Sequence, residues 1–374
     1  MRIVRGSLAQ ARELAADKRP RVVALGGDGI GPEVVSAAVR CIRALDVPID
    51  IVEPLHGTAA VAAGAEAFSD EVRELCRAAD AVLFGACERI SIPILHYLRF
   101  DLESYANLRP ARSIPRLGIG SDERPVDLVV VRELSEGMYP GKEGQLSDLV
   151  AKWPEFRDRL GRPLPEQGFF AVGIVTEVAT RRIGRYAARL AARRKQLEIG
   201  PGKVTVVTKA NVMPAAEGAF LRWCREEIEA EAGESGIALE VDHLYVDEAA
   251  RRMAACPETY DVVVTGNLFG DIISDVASEA MGGLPLAPSA SIGERHAHFE
   301  PVHGSAPDIV GTGAANPIAA MISAALMLGY LGFTDAAERL ENAILETLTR
   351  HRTRDMGGDA TTEQITASVC QHIG

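Results

Sequence analysis

Short apolar runs alternate along the chain with longer amphipathic stretches. The apolar runs predict buried strands at Arg21 to Leu25, Ala81 to Phe84, Leu128 to Val131, Val204 to Thr208, Leu239 to Val246 and Val262 to Thr265. The amphipathic stretches predict helices that follow Pro32, Ser69, Thr176, Ala215, Asp247, Gly270, Asn316 and Asp335. Elements in this order predict an α/β fold, in which helices cover the faces of a mostly parallel sheet.

A long polar segment from Pro140 to Gly168 interrupts this alternation and carries the isolated Trp153. It is longer than an ordinary connection between elements. One interpretation is a surface excursion. The other is an arm that clasps a second subunit, which would explain why Trp153 and the pair Phe169-Phe170 stand in polar surroundings. Both interpretations are open.

The composition is that of a globular protein. The chain has 374 residues, of which 47% are hydrophobic and 25% charged, and this length suggests two domains. A net charge of −12 argues against general binding to nucleic acid or to an anionic membrane. Neither a secretory signal nor an apolar run long enough to span a membrane is visible, so we expect a cytoplasmic protein. Its scattered cysteines should be reduced and mostly buried.

A glycine-rich turn follows the first predicted strand, with glycines at 26, 27, 29 and 31. The dinucleotide fingerprint G-x-G-x-x-G would need glycine at position 32, where Pro32 stands. A Rossmann fold is therefore not indicated. The turn is either a tight connection into the helix or a place where the backbone approaches a ligand closely.

Three arginines from separate segments are candidates for binding carboxylates. Arg99, Arg109 and Arg132 carry guanidinium groups that can grip a carboxylate with two parallel hydrogen bonds. Arg132 stands at the end of a predicted buried strand, and ligands of open α/β sheets collect at the carboxyl ends of strands. A small-molecule acid is therefore a candidate ligand.

Asp271 and Asp275 lie four residues apart on one face of a predicted helix, where like charges repel unless a cation neutralises them. A hard divalent cation with oxygen ligands would do so. The alternative is that Asp271 caps the helix and Asp275 is solvated. Asp247, at another junction between strand and helix, is a third candidate ligand.

Two further residues suit proton transfer. Lys209 ends an apolar strand, where desolvation would lower its pKa. Tyr139 follows Arg132 closely in sequence and could donate a proton in the same cleft. The stretch from Phe299 to Asp308 is too rich in glycine, proline and small residues for a helix or core strand, so its backbone amides could bind an anion such as a pyrophosphate.

Taken together, these segments resemble the β-decarboxylating dehydrogenases of the isopropylmalate and isocitrate dehydrogenase family, which includes tartrate and D-malate dehydrogenases. The resemblance runs from about Val22 to Gly358. The matching motifs are Asp28-Gly29-Ile30-Gly31-Pro32, Lys209-Ala210-Asn211, Gly266-Asn267-Leu268-Phe269-Gly270-Asp271-Ile272-Ile273-Ser274-Asp275 and Phe299-Glu300-Pro301-Val302-His303-Gly304-Ser305-Ala306-Pro307-Asp308-Ile309.

The resemblance implies an isopropylmalate dehydrogenase-like fold of two α/β domains that share a largely parallel sheet core and bind NAD(P) without a Rossmann domain. Residues 1–107 and 284–374 would form the large, cofactor-binding domain. Residues 108–283 would form the small domain for dimerisation, metal and substrate, with the arm at about 140–168. It also implies a homodimer, or a higher oligomer of dimers, in which each active site borrows residues from the partner.

The resemblance assigns roles residue by residue. It implies oxidation and decarboxylation of a malate-type 2-hydroxy acid, with Mg²⁺ or Mn²⁺ and with Lys209 and Asp247 supplied by the neighbouring subunit. The catalytic residues would be Tyr139, Lys209 and Asp247, and the metal ligands would be Asp247, Asp271 and Asp275. The substrate would be bound by Arg99, Arg109, Arg132, Leu95, His96 and Asn211. The cofactor would be bound by His303, Gly304, Ser305, Ala306, Asp308 and Asn316.

Departures from the family pattern limit the set of substrates that we expect. Pro93 and Leu95 stand where isocitrate enzymes carry a serine and an asparagine, which disfavours isocitrate. Ile92 and His96 stand where isopropylmalate enzymes usually carry glutamate and leucine, so another 3-substituted malate, D-malate or tartrate fits as well as isopropylmalate. Asp308 replaces the lysine of NADP enzymes and predicts NAD. The contrasting hypothesis is a non-catalytic regulatory paralogue.

Overall fold

The computed structural model describes residues 3–9, 11–12, 19–120 and 123–374. Its strands are β1 Arg21–Gly27, β2 Asp50–Val52, β3 Ala81–Ala86, β4 Ala106–Arg112, β5 Asp127–Glu133, β6 Gly137–Gln145, β7 Phe169–Ile174, β8 Lys203–Thr208, β9 Glu240–Tyr245, β10 Val262–Thr265, β11 Pro288–Ile292 and β12 Ala297–Pro301. Its α-helices are α1 Ile3–Ser7, α2 Gly31–Ala44, α3 Gly57–Ala62, α4 Asp70–Ala78, α5 Ile92–His96, α6 Leu146–Lys152, α7 Glu177–Gln196, α8 Ala216–Ser235, α9 Val246–Ala255, α10 Asn267–Ser278, α11 Ile318–Tyr330, α12 Thr334–Leu348 and α13 Thr362–Ile373.

One mixed sheet of ten strands forms the centre, in the order β2-β1-β3-β12-β11-β4-β5-β10-β8-β9. The pairings toward both edges are parallel. The pairings β12–β11, β11–β4 and β4–β5 are antiparallel. The α/β fold and the predicted apolar strands are therefore confirmed, with an antiparallel centre that the apolar pattern did not predict.

The unpredicted central strands are short of large apolar residues. β11 reads Pro-Ser-Ala-Ser-Ile and β12 reads Ala-His-Phe-Glu-Pro, yet both are buried along their length. Both buried serines of β11 are hydrogen-bonded inside the sheet: the Asn107 side chain on β4 donates to Ser291 Oγ at 2.9 Å, and Ser289 Oγ donates to the carbonyl of Glu300 at 3.0 Å. The expectation that the stretch from Phe299 onward cannot form a core strand is therefore wrong for Phe299 to Pro301, which end β12.

Helix α11 lies at the middle of the main core. Each of its residues is buried, because it packs between the strands β11 and β12 and the outer helices α2 and α12. A helix that is apolar on every side is expected in such a position. In the described part of the chain, every helix is too short or too polar to cross a bilayer.

The sheet joins the segments assigned to the two predicted domains. The N-terminal and C-terminal segments supply β1, β2, β3, β11 and β12, and the middle of the chain supplies β5, β8, β9 and β10. The predicted boundary after residue 107 falls inside β4. The division into a large and a small domain stays a prediction.

The polar segment between Pro140 and Gly168 is an excursion from the main sheet. β6 and β7 pair with each other as a separate antiparallel ribbon, and α6 lies between them in sequence. The Leu146 amide donates to the Gly168 carbonyl at 2.9 Å and closes the ribbon. Phe169 is 81% exposed and Trp153 is 54% exposed. The clasp on a second subunit stays a prediction.

Candidate active site

The centre of the candidate site is the carboxylate of Asp271, which three elements approach. Arg132, at the end of β5, is only 1% exposed, and its Nη1 binds Asp271 Oδ1. Its Nε and Nη2 donate to the side-chain oxygen of Asn267 at 3.0 and 2.7 Å. Burial lowers the pKa of Arg132 to about 10, and the nearby charge of Arg109 adds to this effect. The guanidinium still carries its charge at neutral pH.

Arg109 bridges the two carboxylates of α10. It lies on β4 beside β5, and its guanidinium is 3.2 Å from Asp271 Oδ1 and 3.1 Å from Asp275 Oδ1. It also donates to Ser274 Oγ at 2.8 Å. The cation that relieves the repulsion between the two aspartates within one chain is therefore Arg109, so repulsion alone does not require a metal.

The capping interpretation of Asp271 is wrong. α10 begins at Asn267, before the predicted start after Gly270, so Asp271 lies inside the helix. Burial alone would raise the pKa of Asp271, but Arg132, Tyr139 and Arg109 outweigh it and hold this pKa below its usual range. Burial raises the pKa of Asp275, with a partial opposing effect from Arg109. Asp271 is therefore held in its ionised form, in which its oxygens could bind a cation.

Tyr139 lies against the same carboxylate. Its hydroxyl donates to Asp271 Oδ2 at 2.5 Å, and the Arg132 guanidinium carbon is 4.8 Å from the centre of its ring. Burial and the hydrogen bond to Asp271 raise the pKa of Tyr139. Its phenol therefore keeps its proton at neutral pH and can donate it.

Asn267 is a site residue that sequence reasoning missed. Its side-chain nitrogen donates to the carbonyls of Leu134 and Glu136 at 2.9 Å each, while its oxygen accepts from Arg132. It therefore fixes the turn that leads to Tyr139. The signal available in the sequence was a polar residue that directly follows an apolar strand.

Lys209 and Asp247 form a pair of their own. Lys209 follows β8, Asp247 lies in the first turn of α9, and the Lys209 ammonium binds Asp247 Oδ1. This contact lowers the pKa of Asp247, whose side chain is 69% exposed. Asn211 is exposed in the turn after Lys209.

The predicted metal ligands do not assemble within one chain. Among the described residues, no three His, Cys, Asp or Glu side chains come together in an arrangement that could hold a metal ion. Asp247 therefore does not join Asp271 and Asp275 in a single subunit. The full set needs the second subunit that the family resemblance implies.

Arg99 is anchored by Glu300. It lies in the π-helical turn Tyr97–Asp101 that continues α5, and its Nη2 is 2.9 Å from Glu300 Oε1. Burial would raise the pKa of Glu300, but Arg99 and His298 outweigh it and hold this pKa far below its usual range. Glu300, buried at the end of β12, is a second residue that sequence reasoning missed.

His96 opens onto the site, and Leu95 turns toward the core. Leu95 is half-buried and packs against a cluster around β1 and β3. His96 is exposed, and its ring meets that of Phe100 at 5.6 Å. A cleft of about 520 Å³ is lined by His96, Phe100, Glu103, Ser135 and Tyr139. His96 therefore shares a cleft with Tyr139, and its contact with a substrate stays a prediction.

The glycine turn packs on the candidate cofactor loop. Gly29 has φ of 59°, and a Cβ there would lie 2.1 Å from the Ser305 carbonyl oxygen. The Ile30 amide donates to the same oxygen at 2.9 Å. The close approach is thus to the protein's own backbone, which favours the tight connection over ligand contact.

Asp28 in that turn organises the entrance to α5. Its buried carboxylate accepts from the amides of Glu88 and Ser91 at 2.9 Å and from the hydroxyls of Ser91 and Thr58 at 2.9 and 2.8 Å. These bonds tie the glycine turn to the start of the helix that carries His96, and the bond of the Ile30 amide to Ser305 ties the same turn to the cofactor loop. Asp28 begins the motif Asp28-Gly29-Ile30-Gly31-Pro32, but its role was not predicted.

The remaining candidate cofactor residues lie in a short loop or, in the case of Asn316, shortly after it. His303 Nδ1 is 3.0 Å from the Gly304 carbonyl, whereas its Nε2 is buried without a hydrogen-bond partner in the described part of the chain. Ala306 has φ of 40°, and Asp308 is exposed. Asn316 is buried and contacts Asp355 at 3.3 Å. A buried polar atom without a partner is a position that a bound ligand can satisfy.

Comparison with known proteins connects this geometry to a family. The family model described as isocitrate/isopropylmalate dehydrogenase matches residues 21–372. The isocitrate/homoisocitrate dehydrogenase of Thermus thermophilus is 40% identical over 361 residues, which cover 94% of this chain and 98% of that protein. The 3-isopropylmalate/3-methylmalate dehydrogenase of Methanocaldococcus jannaschii is 37% identical over 354 residues, which cover 94% of this chain and 98% of that protein.

A solved structure shows the same architecture. The isocitrate dehydrogenase from Methylococcus capsulatus superposes with a TM-score of 0.79 at 34% identity, covering 95% of this chain and 99% of that chain. The predicted fold class is therefore confirmed. The names of the relatives differ in the substrate, so the substrate of this chain has to be argued from its own residues.

Proposed function

Because the chain belongs to the isocitrate/isopropylmalate dehydrogenase family and is a decarboxylating dehydrogenase, we propose that it oxidises a malate-type 2-hydroxy acid with NAD⁺ and a divalent cation. The product would be a 2-keto acid and CO₂. The arrangement of Arg132, Asp271 and Tyr139 carries this proposal, since it sets a carboxylate-binding cation and a protonated phenol on either side of one metal-binding carboxylate.

The proposed roles follow from the chemistry of each side chain. Arg109 and Arg132 bind the substrate's carboxylates with charge-assisted hydrogen bonds, and Arg99 assists from its anchor on Glu300. The partner subunit's Lys209 would relay the proton of the substrate hydroxyl away from the reacting carbon. Bound NAD⁺, held by the loop from His303 to Asp308, would supply the hydride acceptor. Tyr139 then donates its proton to the carbon that has lost CO₂.

The donor set fits a divalent metal. Asp271 and Asp275 offer hard carboxylate oxygens, which Mg²⁺ and Mn²⁺ prefer. Both are partly exposed, at 34% and 48% of their side-chain surface. The partner subunit's Asp247 would complete the set. When bound, the cation would polarise the substrate's hydroxyl and carbonyl oxygen.

The cofactor loop fits NAD. The unpartnered Nε2 of His303 and the small residues Gly304, Ser305 and Ala306 leave polar atoms and space for the adenosine half. The exposed Asp308 can accept hydrogen bonds from ribose hydroxyls. Asn316 lies just before α11, where its side-chain oxygen accepts a hydrogen bond from the Ile318 amide.

The surface around Lys209 supports a homodimer. An apolar groove of about 280 Å³ next to the site includes Met138, Ile174, Met213 and Leu268, and each of these side chains is exposed. Exposed apolar patches of this kind mark protein interfaces. We propose that the partner subunit packs on this groove and supplies its Lys209 and Asp247 to the site around Asp271.

We expect NAD⁺ to be the better cofactor, with kcat/KM at least about tenfold above that for NADP⁺, because Asp308 would repel a 2′-phosphate. Steady-state kinetics with both cofactors measure this ratio, and Asp308→Lys should shift it toward NADP⁺. Asp335→Asn, an exposed change at the start of α12, serves as the control. An equal or higher kcat/KM with NADP⁺ for the unmodified protein would show that the cofactor assignment is wrong.

We expect D-malate or a 3-alkylmalate to exceed isocitrate by roughly a hundredfold in kcat/KM. Ile92, Pro93 and Leu95 offer no partner for a third carboxylate, and a carboxylate left unpaired costs several kcal/mol. Glu103, which lines the same cleft as His96, would add repulsion.

A panel of 2-hydroxy acids with NAD⁺ and Mg²⁺, read as NADH and CO₂ together, tests the function and this selectivity. His96→Ala should change the order of the 3-substituents, and the exposed His351→Ala should not. Isocitrate as the best substrate would overturn the selectivity. Absence of NADH with every acid would favour the non-catalytic paralogue.

A further inference from the structure

Two cysteines that are far apart in sequence face each other between α2 and α13. The sulfurs of Cys41 and Cys370 are 3.8 Å apart. Cys41 is fully buried, and Cys370 is half-buried. Both are free thiols. A disulfide has a sulfur–sulfur distance of about 2.05 Å, which side-chain rotation can approach from this starting point.

The surroundings hold these two helices in register. Arg40, next to Cys41, binds Glu363 of α13 through two nitrogens at 2.5 and 3.0 Å. Thr362, at the start of α13, donates to Glu33 of α2 and to the Ala315 carbonyl. The helices are thus fixed at the N-terminal end of α13, and the thiol pair lies nearer its C-terminal end.

We propose that Cys41 and Cys370 are an oxidation site, at which a hydroperoxide converts the two thiols into a reversible disulfide that ties α13 to α2. This inference does not depend on the substrate or cofactor. Within the described part of the chain, neither cysteine belongs to the candidate active site.

The reaction balances with a hydroperoxide as the oxidant. The Cys370 sulfur attacks the peroxide oxygen, the O–O bond breaks, and Cys370 becomes a sulfenic acid. With hydrogen peroxide the leaving hydroxide takes up the thiol proton and departs as water. The Cys41 sulfur then attacks the Cys370 sulfur, the S–O bond breaks, and a second water leaves. The two thiols lose two electrons, and the peroxide gains them.

The two cysteines suit different steps. The half-buried Cys370 can meet the oxidant, whereas Cys41 is closed to solvent. The hydrogen bond with Cys41 lowers the pKa of Cys370, burial opposes this, and Arg40 lowers it further. The same contact and burial raise the pKa of Cys41. Because Cys370 is the more exposed of the two and Cys41 is closed to solvent, Cys370 reacts first with the oxidant and Cys41 resolves the intermediate.

The disulfide would close a loop between residues 41 and 370, so it should stabilise the folded chain strongly. It would also fix α13, whose Thr362 holds the Gly313 and Ala315 carbonyls just before Asn316. We expect the melting temperature of the oxidised protein to be roughly 5 °C above that of the reduced protein.

The test treats the full-length protein with hydrogen peroxide near stoichiometry and measures intact mass, peptide cross-links and melting temperature. The mass should fall by about 2 Da, the value for loss of two hydrogens, with one cross-link between the peptides of Cys41 and Cys370. Dithiothreitol should reverse both the mass change and the shift in melting temperature.

Matched variants identify each role. Cys370→Ser should show neither the cross-link nor the shift, Cys41→Ala should accumulate a sulfenic acid on Cys370 that dimedone traps, and the half-buried Cys256→Ser should behave as the unmodified protein. Circular dichroism confirms that each variant is folded. Cross-links through other cysteines, or direct conversion of Cys370 to sulfinic acid without a cross-link, would overturn the proposal.

Discussion

An equal mixture of Lys209→Met and Tyr139→Phe subunits is expected to recover about one quarter of the activity of the unmodified protein, although each variant alone loses roughly a hundredfold or more. Random pairing makes half of the dimers mixed. Each mixed dimer carries one site with both Tyr139 and the partner subunit's Lys209 intact. Co-expression, followed by purification and measurement of NADH formation, gives the value.

This result is expected because one chain does not assemble the whole site. Lys209 is paired with the exposed Asp247, Tyr139 is bonded to Asp271, and no described group of three candidate ligands forms in one subunit. The proposed shared site at a dimer interface would supply the third ligand that one chain lacks.

The chain offers a matched control for this experiment. Lys209 and Asp247 would be contributed by the same subunit, so a mixture of Lys209→Met and Asp247→Asn should stay inactive. In every mixed dimer both sites would then have one defect. Recovery in this control, or no recovery with Tyr139→Phe, would contradict the shared site. Light scattering should show a dimer in each sample.

Arg194→Met is expected to destabilise the fold by about 3–5 kcal/mol, because it removes one partner from a buried ion pair. Arg194 and Asp261 are each 1% exposed, and Nε of Arg194 is 2.6 Å from Asp261 Oδ1. The same guanidinium donates to the Gly6 carbonyl at 2.8 Å and to Asp127 Oδ1 at 3.0 Å. Without it, these groups of three different elements lose a common donor.

Urea denaturation at a fixed protein concentration measures this loss as a lower midpoint. The matched control is Arg185→Met, because Arg185 also lies on α7 and binds a carboxylate, Glu227, but is 50% exposed. Exposed ion pairs contribute about 1 kcal/mol or less. Equal midpoints for the two variants would contradict the expected contribution of Arg194 to the stability of the fold.

The apolar strands could be predicted from the sequence because burial on both faces requires continuous runs such as Val262 to Thr265. β11 and β12 could not, since their buried faces carry Ser289, Ser291 and His298. Ser291 bonds to Asn107 of β4, which is distant in sequence, and no local pattern reports such a partner. β11 and β12 therefore stayed unpredicted, as did β4, the antiparallel neighbour of β11.

At the candidate site, too, local spacing could be predicted from the sequence, whereas partners that are distant in sequence could not. The spacing of Asp271 and Asp275 placed both on one face of a helix, and the structure brings both to Arg109. The identity of that cation could not be deduced, because β4 was not predicted. Asn267 and Glu300 were missed for a related reason: each positions an arginine that is distant from it in sequence.

The position of β12 between β3 and β11 has a consequence for synthesis of the chain. β3 pairs with β12 through Val82 and His298, and through Leu83 and Phe299, so the ribosome releases one strand long before its neighbour exists. Until the C-terminal part emerges, β3 has an open edge, and open edges of apolar strands promote aggregation. We expect truncated or stalled chains that end before Ala297 to depend on chaperones and to be poorly soluble.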